Sequence, residues 1–374
     1  MVSQAHKTDG QETSRRAIER LKKYTVVDCD VHEINLDQGE YAKYVDEPWK
    51  SRIKHIGRTD EPLAGNLVGN FNFDLDPTPH GLGKDVKTTT PEGLGAFMDR
   101  FNTDYIVLHG HTFEAVSDVP ERDWATALCR AYNDYILDQF IDENDGIVGS
   151  IRVPTQAPRR AAEEIERMAD EDGMVSIHIA SAPQELLGDR KYDPIYEAAE
   201  KAGLPIDYHV GFSNPPWNGV FGATTLESTV EYMGAYNQHN MAHIPSMIFQ
   251  GVPERFPDLQ HIFVEQGITW LPWIQGRMDK NYELRKHHLD WLEKPPSEYL
   301  KDNFYFTTQP IEEVAGPQRL SKIFDMIDAK NTLMYASDFP HFDFDYPSVL
   351  TIPGVDEETE EAIFGGNALS VMDF

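Results

Sequence analysis

The feature that most constrains the fold is a regular alternation between short β-rich runs and longer amphipathic stretches. The runs are rich in β-branched and aromatic residues, and they lie at 24–33, 104–110, 146–153, 174–180, 204–210, 259–265, 304–309 and 332–337. Strands that alternate with helices form βαβ units, which build a parallel sheet. Eight such runs in one chain of 374 residues predict an α/β fold of the closed (β/α)8 TIM-barrel type.

Apolar residues recur at helical spacing in the stretches between the runs. We predict helices at 91–102, 122–143, 157–171, 192–203, 226–250, 272–290, 318–328 and 356–363. The sequence contains no internal repeat and no low-complexity linker. We therefore expect one barrel domain over residues 24–374, preceded by an N-terminal lead-in over residues 1–23.

A long insertion follows the first predicted strand. It covers residues 34–90 and is rich in Gly, Pro and Asp. Phe71, Phe73 and Pro77 give it apolar side chains that suit a lid over the barrel mouth, although a contact between subunits would explain them equally well.

Side chains that bind metals stand at the ends of four predicted strands. The first strand ends in Asp30-Val31-His32, and alternation along a strand places Asp30 and His32 on the same face. His209 ends the fifth strand, Glu265 the sixth and Asp338 the eighth. Active sites of TIM barrels lie at these carboxyl ends. Because a buried group of carboxylates and imidazoles is costly without a cation, the pattern predicts a divalent metal site.

Each of these residues also has a simpler explanation. An Asp-x-His pair can belong to a turn, and His209 can be a buried, hydrogen-bonded histidine. Asp338 can cap a helix or a turn. Their coincidence at the ends of strands one, five and eight favours the metal site.

The sequence resembles the amidohydrolase superfamily, within it the amidohydrolase-related branch that includes aminocarboxymuconate-semialdehyde decarboxylase. The resemblance covers residues 24–372 and rests on the segments VVDCDVHE, KYDPIYEAAEKAGLPIDYHVG, GVPERFPDLQHIFVEQGITWLPWIQGRMD, FYFTTQPIEE, LMYASDFPHFDFDYP and GNAL. It implies that one divalent ion is held by Asp30, His32, His209 and Asp338. It also implies that Asp338 transfers protons as a catalytic residue.

Two departures from the family pattern matter for the chemistry. The fourth strand, MVSIHIA, lacks the carboxylated Lys that bridges two metals in binuclear members, so we expect one ion. The family decarboxylases carry a His after the sixth strand, whereas this chain has Glu265. Glu265 can act as a catalytic acid or base, or it can be an additional metal ligand. The acidic first residue, Asp30, moves the metal preference from Zn towards Mn or Mg without excluding Zn.

Further side chains are candidates for contacting a small-molecule substrate. We expect His178, on the fourth strand, to line the pocket wall and His341 to contact either the substrate or Asp338. Trp270 suits stacking on a planar substrate, although it is equally suited to packing within the barrel. His109 can line the pocket or lie in a surface turn.

Composition excludes some partners. The chain has 63 acidic and 33 basic residues, a formal net charge of −30. Such a surface repels nucleic acid and anionic membranes. The dispersed acidic residues resemble the surfaces of halophilic proteins, so we expect folding to require molar salt, which equal stability in dilute buffer would contradict.

Location and assembly follow from weaker signals. No apolar run of membrane-spanning length occurs, and the polar N-terminal segment shows no secretory signal, so we expect a cytoplasmic protein without a membrane partner. A homodimer is our expectation for the oligomeric state, from the habit of the family it resembles.

Three functions stay open at this point. The first expectation is a metal-dependent hydrolase that acts on a small carbonyl compound through a metal-activated water. The alternative is a metal-dependent, non-oxidative decarboxylase of an aromatic or unsaturated carboxylic acid. A non-catalytic metal-binding barrel is the third. The first two chemistries use the same side chains, so fold and metal alone do not separate them.

Overall fold

The computed structural model describes residues 16–33, 38–56, 86–110, 116–117, 119–180, 183, 185–210, 234, 237–312, 317–341, 344–345 and 354–374. Eight parallel strands form one sheet in sequential order. They are β1 (Val27–Glu33), β2 (Tyr105–Gly110), β3 (Ile147–Arg152), β4 (Met174–Ala180), β5 (Ile206–His209), β6 (His261–Val264), β7 (Phe304–Thr307) and β8 (Leu333–Met334). The predicted (β/α)8 barrel is therefore confirmed.

The segment after β8 brings the two ends of the sheet together. The predicted eighth strand spans 332–337, but the ladder with β7 ends at Met334. Beyond it, the N–H groups of Tyr335 and Ala336 donate to the Ile363 carbonyl and to the Thr308 hydroxyl. Carbonyls of the same segment accept from β1, because the Cys29 N–H donates to the Tyr335 carbonyl and the His32 N–H to the Phe339 carbonyl.

Helices surround the barrel. They are α1 (Trp49–Ile56), α2 (Pro91–Phe101), α3 (Arg122–Ile136), α4 (Pro158–Met168), α5 (Asp193–Ala202), α6 (Gln238–Phe249), α7 (Val252–Arg255), α8 (Leu271–Arg285), α9 (Pro296–Asn303), α10 (Pro317–Ile327), α11 (Ala329–Thr332), α12 (Glu357–Glu361) and α13 (Asn367–Val371). Single π turns extend α3 over Leu137–Ile141 and join α12 to α13 over Ala362–Gly366. The eight predicted helices match this order; the helices that the prediction omits have four, five or eight residues, too few for a clear period.

Only parts of the N-terminal lead-in and of the insertion are described. Residues 16–21 are helical, and Ile18 and Leu21 are buried. In the insertion, a 3-10 helix (Gln38–Tyr44) packs on α3. The proposed lid residues Phe71, Phe73 and Pro77 lie outside the described residues, so the lid stays a prediction.

Two β-bulges set which side chains face the barrel interior. Asp28 and Val31 of β1 pair with Ile106 and Leu108 of β2, so β1 contains one extra residue. Ser150 of β3 pairs two residues further along β4 than Gly149 does, which gives β4 one extra residue at Val175. An extra residue shifts the alternation of side chains by one position.

The lower barrel interior is apolar. The buried side chains that fill it come from six strands: Val27, Cys29, Val107, Val148, Val175, Ile262, Val264 and Met334. Ala368 of the C-terminal helix α13 and Met372, just after that helix, pack against them. Gly365, just before α13, lies so close to β1 that an added Cβ would stand 2.1 Å from the Thr25 carbonyl oxygen. This close approach requires a glycine. In the part of the chain that the structure describes, no helix is both long and apolar enough to cross a membrane.

Candidate metal centre and active site

The bulge in β1 places two candidate ligands in the barrel interior. Cys29 belongs to the apolar interior cluster, and the extra residue lets the following residue, Asp30, also face inward, with His32 two positions later. The Asp28 carboxylate accepts the N–H groups of Asp30 and of Ser337, which fixes the bulge against the segment after β8. Asp30 and His32 are fully buried.

Three imidazoles converge on one oxygen of Asp30. Its Oδ1 lies 2.9 Å from Nδ1 of His109, 3.3 Å from Nε2 of His32 and 3.3 Å from Nε2 of His209. The other oxygen, Oδ2, is buried and makes no hydrogen bond among the described residues. Asp30 is therefore the central side chain of the site.

Asp338 reaches the site from the segment after β8. Its backbone has a φ of 61°, a left-handed conformation that is uncommon for a residue other than glycine and is frequent at functional sites. Its N–H donates to the Asp30 carbonyl at 2.9 Å. Its Oδ1 lies 3.0 Å from Nε2 of His32 and also contacts Nδ1 of His341, while Oδ2 accepts from the Gln309 amide at 3.0 Å.

Glu265 lies directly after β6 and also has a left-handed φ, of 57°. Its N–H donates to the Thr307 hydroxyl at 3.0 Å, so β7 holds the unusual backbone in place. Its Oε2 lies 3.6 Å from Nε2 of His209. One oxygen each of Asp30, Glu265 and Asp338 lie within 4.8 Å of one another.

A second polar group, the Asp207 network, lies beside Asp30. His109 of β2 places Nε2 3.2 Å from the Ser150 hydroxyl and 3.4 Å from Oδ1 of Asp207. The Ser176 hydroxyl donates to Oδ2 of Asp207 at 2.7 Å, and Nδ1 of His178 contacts Oδ1 of the same carboxylate. Every member of the network is at most 2% exposed.

Charges within the site shift its pKa values in opposite directions. Burial raises the pKa of the Asp30 carboxyl, but His209 and His32 outweigh burial and hold this pKa well below its usual range. Burial lowers the pKa of His109, but Asp207, together with Asp30, outweighs it and raises this pKa to about 8. Burial lowers the pKa of His178 to about 4, against the opposing effect of Asp207.

The side chains present fit a divalent metal ion. Ligand atoms of Asp30, His32 and His209 lie within 4.8 Å of one another, and all three residues are buried. Two like charges about 4 Å apart repel by about 4 kcal/mol at an effective dielectric constant of about 20, so buried carboxylates at this separation need a cation. Imidazole and carboxylate donors suit Zn, Mn and Mg, and the unbonded Oδ2 of Asp30 is a ready donor atom.

The structure brings together most of the residues that the sequence singles out. Asp30, His32, His209, Glu265 and Asp338 fall into overlapping groups of three, which share Asp30, His32 and Asp338. His341 joins them, with its ring centroid 4.4 Å from that of His32, and the His178 ring lies 5.6 Å from that of His209.

Trp270 does not join these groups. It is 6% exposed and belongs to the main hydrophobic core, and its indole N–H donates to the Gln266 and Gly267 carbonyls. These contacts correspond to the packing role that was the alternative for Trp270, and they give its substrate contact no support.

Sequence reasoning left His109 open and missed Asp207. His109 lies within β2 and is buried, not in a surface turn. Asp207 precedes His209 by two residues on β5, so the two share a face of the strand. The signal was present in the sequence, because Asp207-Tyr208-His209 repeats the Asp-x-His pattern of Asp30-Val31-His32.

Residues 27–374 match the family model described as Amidohydrolase. The chain therefore belongs to the amidohydrolase family, and it is a metal-dependent hydrolase or carboxy-lyase of that family.

Two curated relatives carry the name gamma-resorcylate decarboxylase. The one from Rhizobium sp. (strain MTP-10005) is 23% identical over 319 residues, which cover 78% of this chain and 87% of the relative. The one from Rhodococcus jostii (strain RHA1) is 24% identical over 272 residues, which cover 65% of this chain and 75% of the relative.

Solved structures share the fold. The 5-carboxyvanillate decarboxylase from Sphingomonas paucimobilis superposes with a TM-score of 0.65 at 21% identity, covering 93% of this chain and 98% of its own. The 5-carboxyvanillate decarboxylase from Novosphingobium aromaticivorans, in complex with manganese and 4-hydroxy-3-methoxy-5-nitrobenzoic acid, has a TM-score of 0.66 at 19% identity and covers 93% and 96%. An amidohydrolase from Mycobacterium avium subsp. paratuberculosis has a TM-score of 0.70 at 18% identity and covers 93% and 99%.

Proposed function

We propose that this protein is a metal-dependent, non-oxidative decarboxylase of a hydroxylated aromatic carboxylic acid. The observation that carries the proposal is the convergence of buried carboxylates and imidazoles on Asp30 at the barrel mouth. Four curated relatives carry the name gamma-resorcylate decarboxylase, which supports a carboxy-lyase over the hydrolase that we expected first.

Four side chains would hold the ion: Asp30, His32, His209 and Asp338. Manganese is our first choice of metal, because structures with the same fold contain it. When bound, the ion would act as a Lewis acid and offset the negative charge of the substrate carboxylate. The remaining chemistry falls to the protein's own side chains.

Proton delivery is assigned to Asp338 and His341. Decarboxylation breaks the bond between the ring carbon and the carboxylate, and the pair of electrons that stays on the ring must take up one proton. The Asp338 carboxyl gives that proton to the ring carbon, and CO2 leaves. Nδ1 of His341 touches Oδ1 of Asp338, so the imidazole can return a proton for the next turnover.

Other side chains position the substrate. His178 has a buried Nε2 atom that makes no hydrogen bond among the described residues. Because Nδ1 donates to the Asp207 carboxylate, the neutral ring leaves Nε2 as an acceptor for a bound ligand. Burial keeps its imidazole neutral, which avoids competition with the metal for the substrate's negative charge. Glu265 also lies beside the site, with its Oε2 3.6 Å from Nε2 of His209.

The test is release of CO2 by the manganese-loaded protein. We would incubate it with 2,6-dihydroxybenzoate and with 5-carboxyvanillate, trap the CO2 and measure the decarboxylated arene. We expect stoichiometric amounts of both products. The Asp338→Asn variant should lower the rate by about 10²–10⁴-fold.

The control is Asp325→Asn, which changes an exposed carboxylate of α10 and should leave the rate unchanged. Parallel assays with lactones and esters test the hydrolase. Hydrolysis that depends on Asp338, without any release of CO2, would restore the hydrolase and reject our proposal.

A further inference from the structure

One acidic side chain has no role in the four-ligand site, although it lies beside it. Glu265 contributes an oxygen to a group of three buried carboxylates whose oxygens lie within 4.8 Å of one another. We infer that Glu265 is itself a ligand of the ion, so that the centre contains three carboxylates and is selective for hard cations such as Mn²⁺.

The position of Glu265 is the first argument. Its Oε2 lies 3.6 Å from Nε2 of His209, and that same nitrogen lies 3.3 Å from Oδ1 of Asp30. The Glu265 carboxylate therefore lies next to ligand atoms of the side chains already assigned to the ion. Glu265 is 8% exposed, so its carboxylate is shielded from the bulk water that would otherwise solvate the charge.

The donor set around it is the second argument. The group is not made of carboxylates alone, because two buried imidazoles, those of His32 and His209, face the same Asp30 oxygen. The other Asp30 oxygen is buried without a hydrogen bond among the described residues. A cation in this space would bind that oxygen and would offset the repulsion between the carboxylates.

The backbone is built to present Glu265. The Thr307 hydroxyl accepts its N–H, which holds the left-handed φ of 57°. The Glu312 carboxylate then accepts the N–H groups of Ile268 and Thr269, which ties down the turn that follows. A fixed turn suits a metal ligand, whose position must be precise, more than it suits a mobile proton carrier.

The consequence is a change in the charge and hardness of the centre. Three carboxylates and a divalent ion give a net negative centre, whereas a histidine at position 265 would leave a neutral one. Carboxylate oxygens favour Mg and Mn relative to Zn, whereas imidazole suits Zn. Glu265 should therefore set which metal the protein selects.

The experiment compares metal affinities of the full chain, stripped of metal and reloaded. Free Mn²⁺ would be measured by electron paramagnetic resonance and Zn²⁺ by competition with a chromogenic chelator. Glu265→Gln should weaken Mn²⁺ binding by about 10-fold or more and Zn²⁺ binding by less. Glu265→His should raise the ratio of Zn²⁺ to Mn²⁺ affinity above that of the wild type.

The matched control is Glu312→Gln, the same substitution in a residue after β7 that contacts the turn following Glu265, in which the amide oxygen can still accept both N–H groups. Thermal unfolding of each metal-free variant checks the fold. Mn²⁺ affinity of Glu265→Gln indistinguishable from wild type, or an equal loss in Glu312→Gln, would overturn the inference.

The inference rests on the metal site proposed above, and it does not depend on decarboxylation. A wild-type protein that binds neither ion would overturn the metal site and this inference together. A wild type that binds Mn²⁺ without regard to Glu265 would overturn this inference alone. Failure to release CO2 would leave the metal affinities, and the inference, unaffected.

Discussion

The lower and the upper halves of the barrel interior are built from opposite chemistry. The lower half is filled with Val, Ile, Met and Cys side chains, closed from below by α13. The upper half contains carboxylates, imidazoles and hydroxyls that are as deeply buried, including Asp30, His109 and Asp207. The same strands supply both halves, since Val107 and His109 are two residues apart on β2.

The difference shows how one barrel separates stability from function. Apolar side chains in the lower half gain free energy from burial alone, and they need no partner. Polar side chains in the upper half lose hydration on burial, and they recover it only through hydrogen bonds, ion pairs and a metal. The lower half should therefore determine stability, and the upper half metal binding.

The largest expected effect tests the lower half. Ile262→Ala should reduce the free energy of unfolding by about 2–5 kcal/mol, because it leaves a cavity among fully buried side chains. The metal content per chain should not change. Chemical denaturation and elemental analysis would measure the two quantities.

Leu284→Ala is the control for that substitution. Leu284 is 65% exposed, so its truncation should change stability by no more than about 0.5 kcal/mol. If Ile262→Ala abolished metal binding in a protein that remained folded, the separation between the halves would be wrong.

The second prediction tests the upper half. His109→Asn removes the imidazole that joins Asp30 to Asp207, so the Asp30 carboxylate loses its orienting contact. We expect metal affinity to fall by about 10–100-fold, as is usual when a group that orients a ligand is removed. Isothermal titration with Mn²⁺ would measure it.

His287→Asn serves as the control for His109→Asn, since it removes an exposed imidazole. An unchanged Mn²⁺ affinity in His109→Asn would mean that the Asp207 network does not support the metal site.

The smallest expected effect is a change of stability with pH. It comes from His261, whose pKa is shifted by burial and not by a neighbouring carboxylate. Burial lowers the pKa of His261, at the start of β6, from 6.5 to about 3. The unfolded chain therefore takes up a proton that the folded chain does not, and stability is lost as pH falls below 6.5. Its share of that loss should be about 1 kcal/mol between pH 7 and pH 5.5.

Comparison of unfolding free energies at these two pH values would measure the share. His261→Gln, which can still bond to the Tyr208 hydroxyl, should reduce the pH dependence, and His287→Gln should not. An unchanged slope in His261→Gln would show that the folded protein protonates His261 as readily as the unfolded chain does.

The local sequence pattern was sufficient to predict the barrel fold. Each strand carries its own β-rich signal and each long helix its own period, so the barrel could be predicted from the sequence. The end of β8 could not be predicted in the same way. The N–H groups of Ala336 and Ser337, after β8, donate to the side chains of Thr308 and Asp28 instead of to the backbone of a neighbouring strand.

In the candidate site too, some residues could be predicted from the sequence and others could not. Asp30, His32, His209 and Asp338 could be predicted, because the carboxyl ends of all barrel strands meet at one face. Trp270 could not be assigned, since a tryptophan after a strand packs as readily as it binds, and only the tertiary contacts distinguish the two.

The sequence by itself determined the barrel, its family and the strand ends that carry the candidate metal ligands, because these features depend on local periodicity and on short motifs. Only the tertiary structure decided which side chains meet across strands. The bulges of β1 and β4 shift the inward alternation by one residue, which no local period reveals. The contact of His109 with Asp207, and the approach of Glu265 to Asp30, join residues distant in sequence. Such contacts follow from the register of the closed sheet.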